Sequence, residues 1–427
     1  MHVSLNDAFN GAVCAERPAP PDSTMSAKVA IKPVESTEEL RKAVDLMARV
    51  HIQGDTPELR WFEALALRYP GYEREHTRIA VLRNEIIAAL RMTTETIRIG
   101  EARLKMGGMG WITTAPHHRR KGTSALLIRD TLSYMRQHSY HVAMLFGAPD
   151  FYQRFGFATT MADYSILVDT FEALTFENPF KVTHAKPGDV PVLQKLHAAN
   201  DADTSCSLLR SGAHLRNKWA RWEGWRVLKD DQGRAVAYLL AVPDGDHLSV
   251  FEAGVEETGL CAAIIRAAGD IADEHSLSRI RLHVPPQHPL GRFMLAFPST
   301  HEMRVERDTG GMMACISIGE TLESMIPEWE SRLLQSPAYE LRTELTLVVD
   351  GTPYRIRANR GALDIANAAA TGKIALRQAD LIHLLTGYRH PLDLLEERRC
   401  ILSSPARALF TAIFPKRSPY VWRFDRF

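Results

Sequence analysis

Residues 110–125 read Gly110-Trp111-Ile112-Thr113-Thr114-Ala115-Pro116-His117-His118-Arg119-Arg120-Lys121-Gly122-Thr123-Ser124-Ala125, and this stretch decides the fold. Trp111-Ile112-Thr113-Thr114 is aromatic and β-branched, which favours an extended strand. Pro116 ends the strand, Arg119, Arg120 and Lys121 form a run of cations, and Gly122 opens a helix. From about Thr123 to Gln137, Ala125, Ile128, Leu132 and Met135 recur at three- and four-residue steps, giving a helix with one apolar face. A helix N-terminus offers unpaired backbone N–H groups and a dipole that favours negative charge. Gly122 lets the backbone approach a ligand without a Cβ in the way. Strand, basic turn and glycine-led helix together make a pyrophosphate cradle.

On the N-terminal side, Val29 to Val34 reads as a strand, and Ser36-Thr37-Glu38-Glu39-Leu40 opens a helix with capping residues. Ile79 to Leu82 and Ile86 to Met92 read as strands joined at Arg83-Asn84-Glu85, and His141 to Phe146 is the strand after the helix. This succession predicts an α/β fold, a mixed sheet flanked by helices. Met106-Gly107-Gly108-Met109-Gly110 reads either as a flexible substrate-side loop or as a β-turn. Trp61 and Phe62, in the helix-like Leu59 to Leu67, belong either to the core or to the wall of a pocket.

A weak internal repeat is present. Gly122 is followed sixteen residues later by His138-Ser139, and Gly259 sixteen residues later by His275-Ser276. An apolar strand and an Arg-Phe pair follow each, Arg154-Phe155 and Arg292-Phe293. The expected division is a disordered tail over 1–27, a first unit over 28–175, a second over 176–312 and a third over 313–427. The second copy carries Glu256-Glu257 where the first has its cations, and Leu290 near the position of Tyr152. Like charge would repel a polyanion there, so that copy reads as degenerate. In the third unit, Leu322 to Leu334 and Leu376 to Leu385 read as helices. Glu340 to Leu347 alternates with period two, and Asp350-Gly351 forms the turn of a hairpin, so this unit is α+β.

A chain of 427 residues is too long for one ordinary core. A formal net charge of +1 provides no global field for nucleic acid or an anionic membrane. The five cysteines are scattered, with no C-x-x-C pair, which argues against a zinc ribbon or a disulfide framework. No apolar run approaches the roughly 18 residues that span a bilayer. A cytoplasmic protein with no metal is the expectation.

Arg119-x-x-Gly122-x-Ser124 resembles the acetyl-CoA loop of the GNAT acetyltransferases, whose signature is Arg/Gln-x-x-Gly-x-Gly/Ala; the last position departs but stays small. Asp150-Phe151-Tyr152-Gln153-Arg154-Phe155-Gly156-Phe157 is similar to a second GNAT segment, in which the tyrosine faces the thioester sulfur. Two GNAT-type sheets, the second degenerate, followed by an α+β tail, resemble the Eis (enhanced intracellular survival) acetyltransferases. In that family the third domain is similar to sterol carrier proteins, and Leu381 to Asp393 resembles a helix and turn of such a domain. The family also places the free carboxylate of a terminal aromatic residue in the active site, and this chain ends Trp422-Arg423-Phe424-Asp425-Arg426-Phe427.

The resemblance implies an N-acetyltransferase that uses acetyl-CoA as co-substrate, without a metal. The cofactor would contact Ile112, Thr113, Thr114, Arg119, Arg120, Lys121, Gly122, Thr123, Ser124, Ala125, Gly147 and Ala148. Tyr152 would protonate the leaving thiolate, unless it is only a packed aromatic. The Phe427 carboxylate would accept the amine's proton, unless the terminal aromatics only anchor the chain. The acceptor would be a small amine or a peptide amine. Arg426 beside the terminus makes the local charge less negative, which weakens the case for a polycationic acceptor. His117 and His118 would touch phosphate or solvent. The family also implies a homo-oligomer, often a hexamer. A carrier of lipid or another apolar ligand, and an acetyl-CoA sensor, are the alternatives from other classes.

Overall fold

β-branched and apolar runs build 19 strands among the described residues of a computed structural model, which are 28–51, 69, 71–218, 224–306, 310–368 and 372–427. The expected tail over 1–27 and the expectations for Trp61 and Phe62 lie outside them. In the first unit, β1 (Ala30–Pro33), helix α1 (Thr37–His51), β2 (Thr77–Leu82), β3 (Glu85–Ile99) and β4 (Ala102–Thr114) come first. Helix α2 (Thr123–Gln137), β5 (Val142–Phe146), β6 (Ala158–Thr159) and β7 (Asp163–Asp169) follow. Arg83 and Asn84, at φ 50° and 65°, make the tight β2–β3 turn.

The second run contains β8 (Lys181–His184), β9 (Ser207–Leu208), β10 (Trp225–Lys229), β11 (Ala235–Asp244) and β12 (His247–Val255). Helix α3 (Cys261–Glu274), β13 (Arg279–Leu282), β14 (Thr300–Arg304) and β15 (Gly311–Cys315) complete it. The third has β16 (Arg342–Val349), β17 (Thr352–Asn359), β18 (Ala362–Ala366), β19 (Lys373–Leu376), α4 (Gln378–Thr386) and α5 (Ser404–Ile413). Its first hairpin turns at Asp350 and Gly351, both at positive φ.

The first sheet runs β1-β2-β3-β4-β5-β15-β6 with β9 pairing β3, and the second runs β8-β10-β11-β12-β13-β7-β14. Position by position the orders correspond, and in each sheet the central pair is parallel (β4–β5, β12–β13) with an antiparallel neighbour beyond. Yet β7 follows the first sheet in sequence and sits in the second, while β15 follows the second and sits in the first. The two sheets therefore exchange a strand, and sheet membership does not follow cuts at 175 and 312. The repeated His-Ser pairs end α2 and α3 alike, with Ser139 and Ser276 at φ 53° and 54°.

β3 and β4 are much longer than their apolar cores suggest, and Met106–Gly110 lies inside β4 rather than in a loop or turn. The glycines mark close approach instead of a bend. A Cβ on Gly107 would collide with Met135 of α2 on one face, and one on Gly108 would meet the Phe427 ring at 2.6 Å on the other.

The third sheet (β18-β17-β16-β19) packs one face through Leu345, Leu347, Ile356, Ile374 and Leu376 against Leu409, Phe410 and Ile413. The same cluster runs on without a break into Met106, Val142 and Met144 of the first sheet. The third unit is thereby built onto the first sheet's back, opposite α2.

Candidate active site

The site lies where β4 and β5 part. These strands pair in parallel only from Met106↔Val142 to Gly108↔Met144. β5 then stays paired to β15 as far as Phe146↔Gly311, while β4 continues to Thr114 with that edge unpaired by β5. A bulge sharpens the divergence. Ala89 pairs Thr113 and Arg91 pairs Gly110, so Trp111 and Ile112 together oppose Leu90, with Trp111 at φ 54°. Ile112 to Thr114 thus offer backbone groups to an extended ligand, as a strand edge does.

At the end of that edge stands the basic loop. Pro116 to His118 form one 3-10 turn, Arg119 and Arg120 follow with Arg120 at φ 61°, and Gly122 caps α2 at φ 80°. Only glycine holds that last conformation without strain. No side chain caps the helix and its first turn has no acidic residue, so the dipole's positive end is not neutralised locally. Arg119 Nε donates to Thr114 O at 3.2 Å, tying the loop to β4, and the Thr114 and Ser124 hydroxyls meet at 2.8 Å. Arg119, Arg120, Lys121, Gly122 and His117 are exposed, whereas Thr123 and Ala125 are buried against the helix's inner face.

Gly147 and Ala148 continue β5 past the point of parting, with Gly147 N–H donating to Gly310 O at 3.0 Å. A Cβ on Gly147 would meet the Tyr152 ring at 2.6 Å. Tyr152 ends a short helix (Pro149–Tyr152) and packs edge-on against Phe151 and Phe157, on the α2 side of the sheet. Burial pushes its phenol up from the ordinary value.

Phe427 occupies the other face of the same gap. Its ring packs against Phe146 at 5.7 Å, and its main-chain carbonyl carbon lies 3.0 Å from where a Cβ on Gly110 would stand. The Phe427 main-chain carbonyl therefore rests over β4 at the point of divergence. Tyr152 and Phe427, far apart in sequence, flank one opening from opposite faces.

Residues 30–160 match the family model of an acetyltransferase (GNAT) domain. No curated protein matches the chain. Its fold is similar to a solved structure from Enterococcus faecalis V583 described as a probable N-acyltransferase. That similarity has a TM-score of 0.75 at 14% identity, covering 94% of this chain and 100% of that one. It is also similar to a GCN5-related N-acetyltransferase from Kribbella flavida (TM-score 0.73, 16% identity, 95% and 100% covered). Eis1 from Mycobacterium abscessus is another likeness (TM-score 0.62, 15% identity, 94% and 100% covered). At these identities the likenesses establish the fold, which is the expected mixed α/β architecture of several sheets with flanking helices. The matched residues include both the basic loop and Tyr152.

Sequence reasoning missed several residues of this region. His51, at the end of α1, sets its Nε2 2.9 Å from Thr113 Oγ1 and its ring edge-on to Trp111, and burial lowers its pKa. Arg426 does not stand as a bare charge beside the terminus: it hydrogen-bonds Asp163 and covers the Phe146 ring at 4.8 Å. Asp425 is buried in an ion-paired network with Arg210 and Glu252. No local signal in the sequence ties these residues together, since each contact spans a long stretch of chain. Among the described residues, no group of three or more His, Cys, Asp or Glu could hold a metal, and no helix is long and apolar enough to cross a membrane.

Proposed function

We propose that this protein is an acetyl-CoA-dependent N-acetyltransferase acting on a primary amine by direct attack in a ternary complex. The observation that carries this reading is the Phe427 carboxylate resting over Gly110, at the opening whose other face holds Tyr152. The GNAT match over 30–160 supports acyl transfer, and the uncapped basic loop supports a polyanionic co-substrate.

On this reading, the pyrophosphate of acetyl-CoA lies on Arg119 to Ala125. Its pantetheine arm runs along the β4 edge of Ile112, Thr113 and Thr114 that β5 leaves unpaired, and passes between that edge and Gly147-Ala148. A backbone N–H of the β4 edge polarises the thioester carbonyl, as an oxyanion donor does. The amine nitrogen bonds to the acetyl carbon and the C–S bond breaks, leaving a thiolate. Tyr152 gives that thiolate its O–H proton; a phenol raised by burial stays protonated at neutral pH and so keeps a proton to give. An amine of pKa about 10 arrives largely as ammonium; Phe427 holds it and accepts one proton, directly or through water. The second nitrogen proton, lost as the amide forms, returns through water to the Tyr152 phenolate. A carboxylate is a weak base, so its larger contribution is positioning.

We further propose that the second unit is a degenerate GNAT-like copy and the third a sterol-carrier-like module. The third unit's apolar face is packed into one continuous core with the first sheet, which argues against a carrier of apolar ligands. The acceptor is a small amine or a peptide amine. Release of CoA from acetyl-CoA across a panel of amines, followed with a thiol reagent, tests the proposal. Turnover with one amine class identifies the acceptor; acetyl-CoA binding without turnover for any amine would instead favour a sensor.

A further inference from the structure

The second sheet opens as the first does. β12 and β13 pair in parallel only from Leu248↔Ile280 to Val250↔Leu282, the same three rungs that join β4 to β5. In the first sheet the gap beyond the last rung holds Phe427. In the second it is filled by the chain's own tail. Tyr420 OH donates to His283 O at 3.2 Å, just past β13, and Trp422 packs edge-on against His288 at 5.5 Å. Both rings belong to the core cluster that contains Val250, Leu282 and Val284. Trp422 Nε1 donates to the buried Asp201 at 3.1 Å.

The tail then crosses toward the first sheet through a buried ionic anchor. Arg210 Nε and Nη2 donate to the two oxygens of Asp425 at 2.7 and 2.8 Å. Its Nη1 and Nη2 donate to the two oxygens of Glu252, at 2.8 and 2.7 Å. Tyr238 OH completes Glu252 at 2.7 Å, His197 Nδ1 lies 3.2 Å from the same oxygen, and His214 Nε2 lies 3.3 Å from Asp425. The Arg210, Glu252 and Asp425 side chains are almost wholly buried. Glu252 lies two residues beyond the last rung on β12, as Gly110 does on β4. Two residues reach at most about 7 Å, so fixing Asp425 fixes the terminal carboxylate to within one side chain's length.

We propose that the second unit works as a clamp for the C-terminus, with Arg210 and Asp425 as positioning residues that hold the Phe427 carboxylate over Gly110. The inference rests on the catalytic reading of Phe427 for its purpose, but not for its geometry. Buried Arg–carboxylate forks are directional and hard to replace, which suits a joint that must hold a chain end otherwise prone to fray. The tail's Tyr420 and Trp422 thus pack beside the second gap, in the copy that carries Glu256-Glu257 where the first has its cations.

The test combines two readouts on Asp425→Asn, on a chain lacking Phe427, and on their combination. One is release of Phe427 from the folded full-length protein by carboxypeptidase. The other is steady-state acetyl transfer with acetyl-CoA and the best amine. The expected result is release at least tenfold faster in Asp425→Asn, with kcat at least tenfold lower and KM for acetyl-CoA unchanged. Removing Phe427 from that variant should then cost nothing further. Unchanged release, or an equal fall in kcat with and without Phe427, would overturn the clamp. Should removal of Phe427 leave wild-type turnover intact, the catalytic reading falls and the clamp is decided by release alone. Arg210→Lys keeps the charge but loses the fork, and carries the same readouts should Asp425→Asn fail to fold.

Discussion

Phe427 closes over Gly110, its carbonyl carbon 3.0 Å from the point a Cβ there would occupy, and its ring likewise covers Gly108 at 2.6 Å. The glycines of β4 thus make room for Phe427. Gly108→Ala should push that ring aside without touching the basic loop. A displacement near 1 Å at a reacting group costs on the order of 100-fold in rate, so kcat should fall about that far. Titration with acetyl-CoA should give an unchanged Kd; a variant with full turnover would show that the terminus is free to move.

Tyr152→Phe removes the proposed acid and keeps the ring that packs against Gly147, Phe151 and Phe157. General acid catalysis contributes about 10²- to 10⁴-fold, and the loss should appear in kcat with KM little changed. Burial raises this phenol above its ordinary value, so it stays protonated through pH 10. The pH–rate profile should therefore show no alkaline limb from Tyr152 below pH 10. Such a limb, absent from Tyr152→Phe, would contradict the raised phenol, whereas an unchanged kcat in Tyr152→Phe would overturn Tyr152 as the acid.

Arg120→Ala and Lys121→Ala should each weaken acetyl-CoA binding by about 1 kcal/mol, roughly fivefold, because each removes one exposed charge from an uncapped helix start. Calorimetric titration at low and high salt should show the difference shrinking as salt screens the loop. Leu126→Ala, exposed one turn along the same helix, is the neutral comparison.

The buried network should make stability depend on pH with a definite sign. Although burial alone would raise both groups, Arg210 holds Asp425 well below the usual carboxylate range and Glu252 at about 2. The unfolded values are about 3.9 and 4.3. Folded values below unfolded ones mean the stabilisation is complete above about pH 4.3 and is lost as pH falls toward the folded values. Glu252 contributes about 3 kcal/mol of this. His283 and His288, pushed down to about 3 by burial, add an earlier loss that begins below about pH 6.5. Denaturant midpoints at pH 7, 5 and 3 should fall in that order. Glu252→Gln should make the step below pH 4.3 smaller, leaving the share that Asp425 carries, and leave the earlier one.

What the sequence determined by itself was local. The strand, proline, cations and glycine of 110–125 state their structure within a few residues, because helix periodicity, a proline stop and a left-handed glycine are short-range effects. The bounds Thr123–Gln137 for α2 and the Asp350-Gly351 turn follow from them. The long β3–β4 pair was legible only in part, since Gly107, Gly108 and Gly110 look like a turn until their neighbours are known. Tertiary structure alone decided which sheet takes β7 and which takes β15, because backbone hydrogen bonds are indifferent to the side chains that carry them. It alone brought Arg210 to Asp425, and Phe427 to Gly110. Those contacts join residues hundreds of positions apart, and only burial, acting through the packed chain as a whole, selects them.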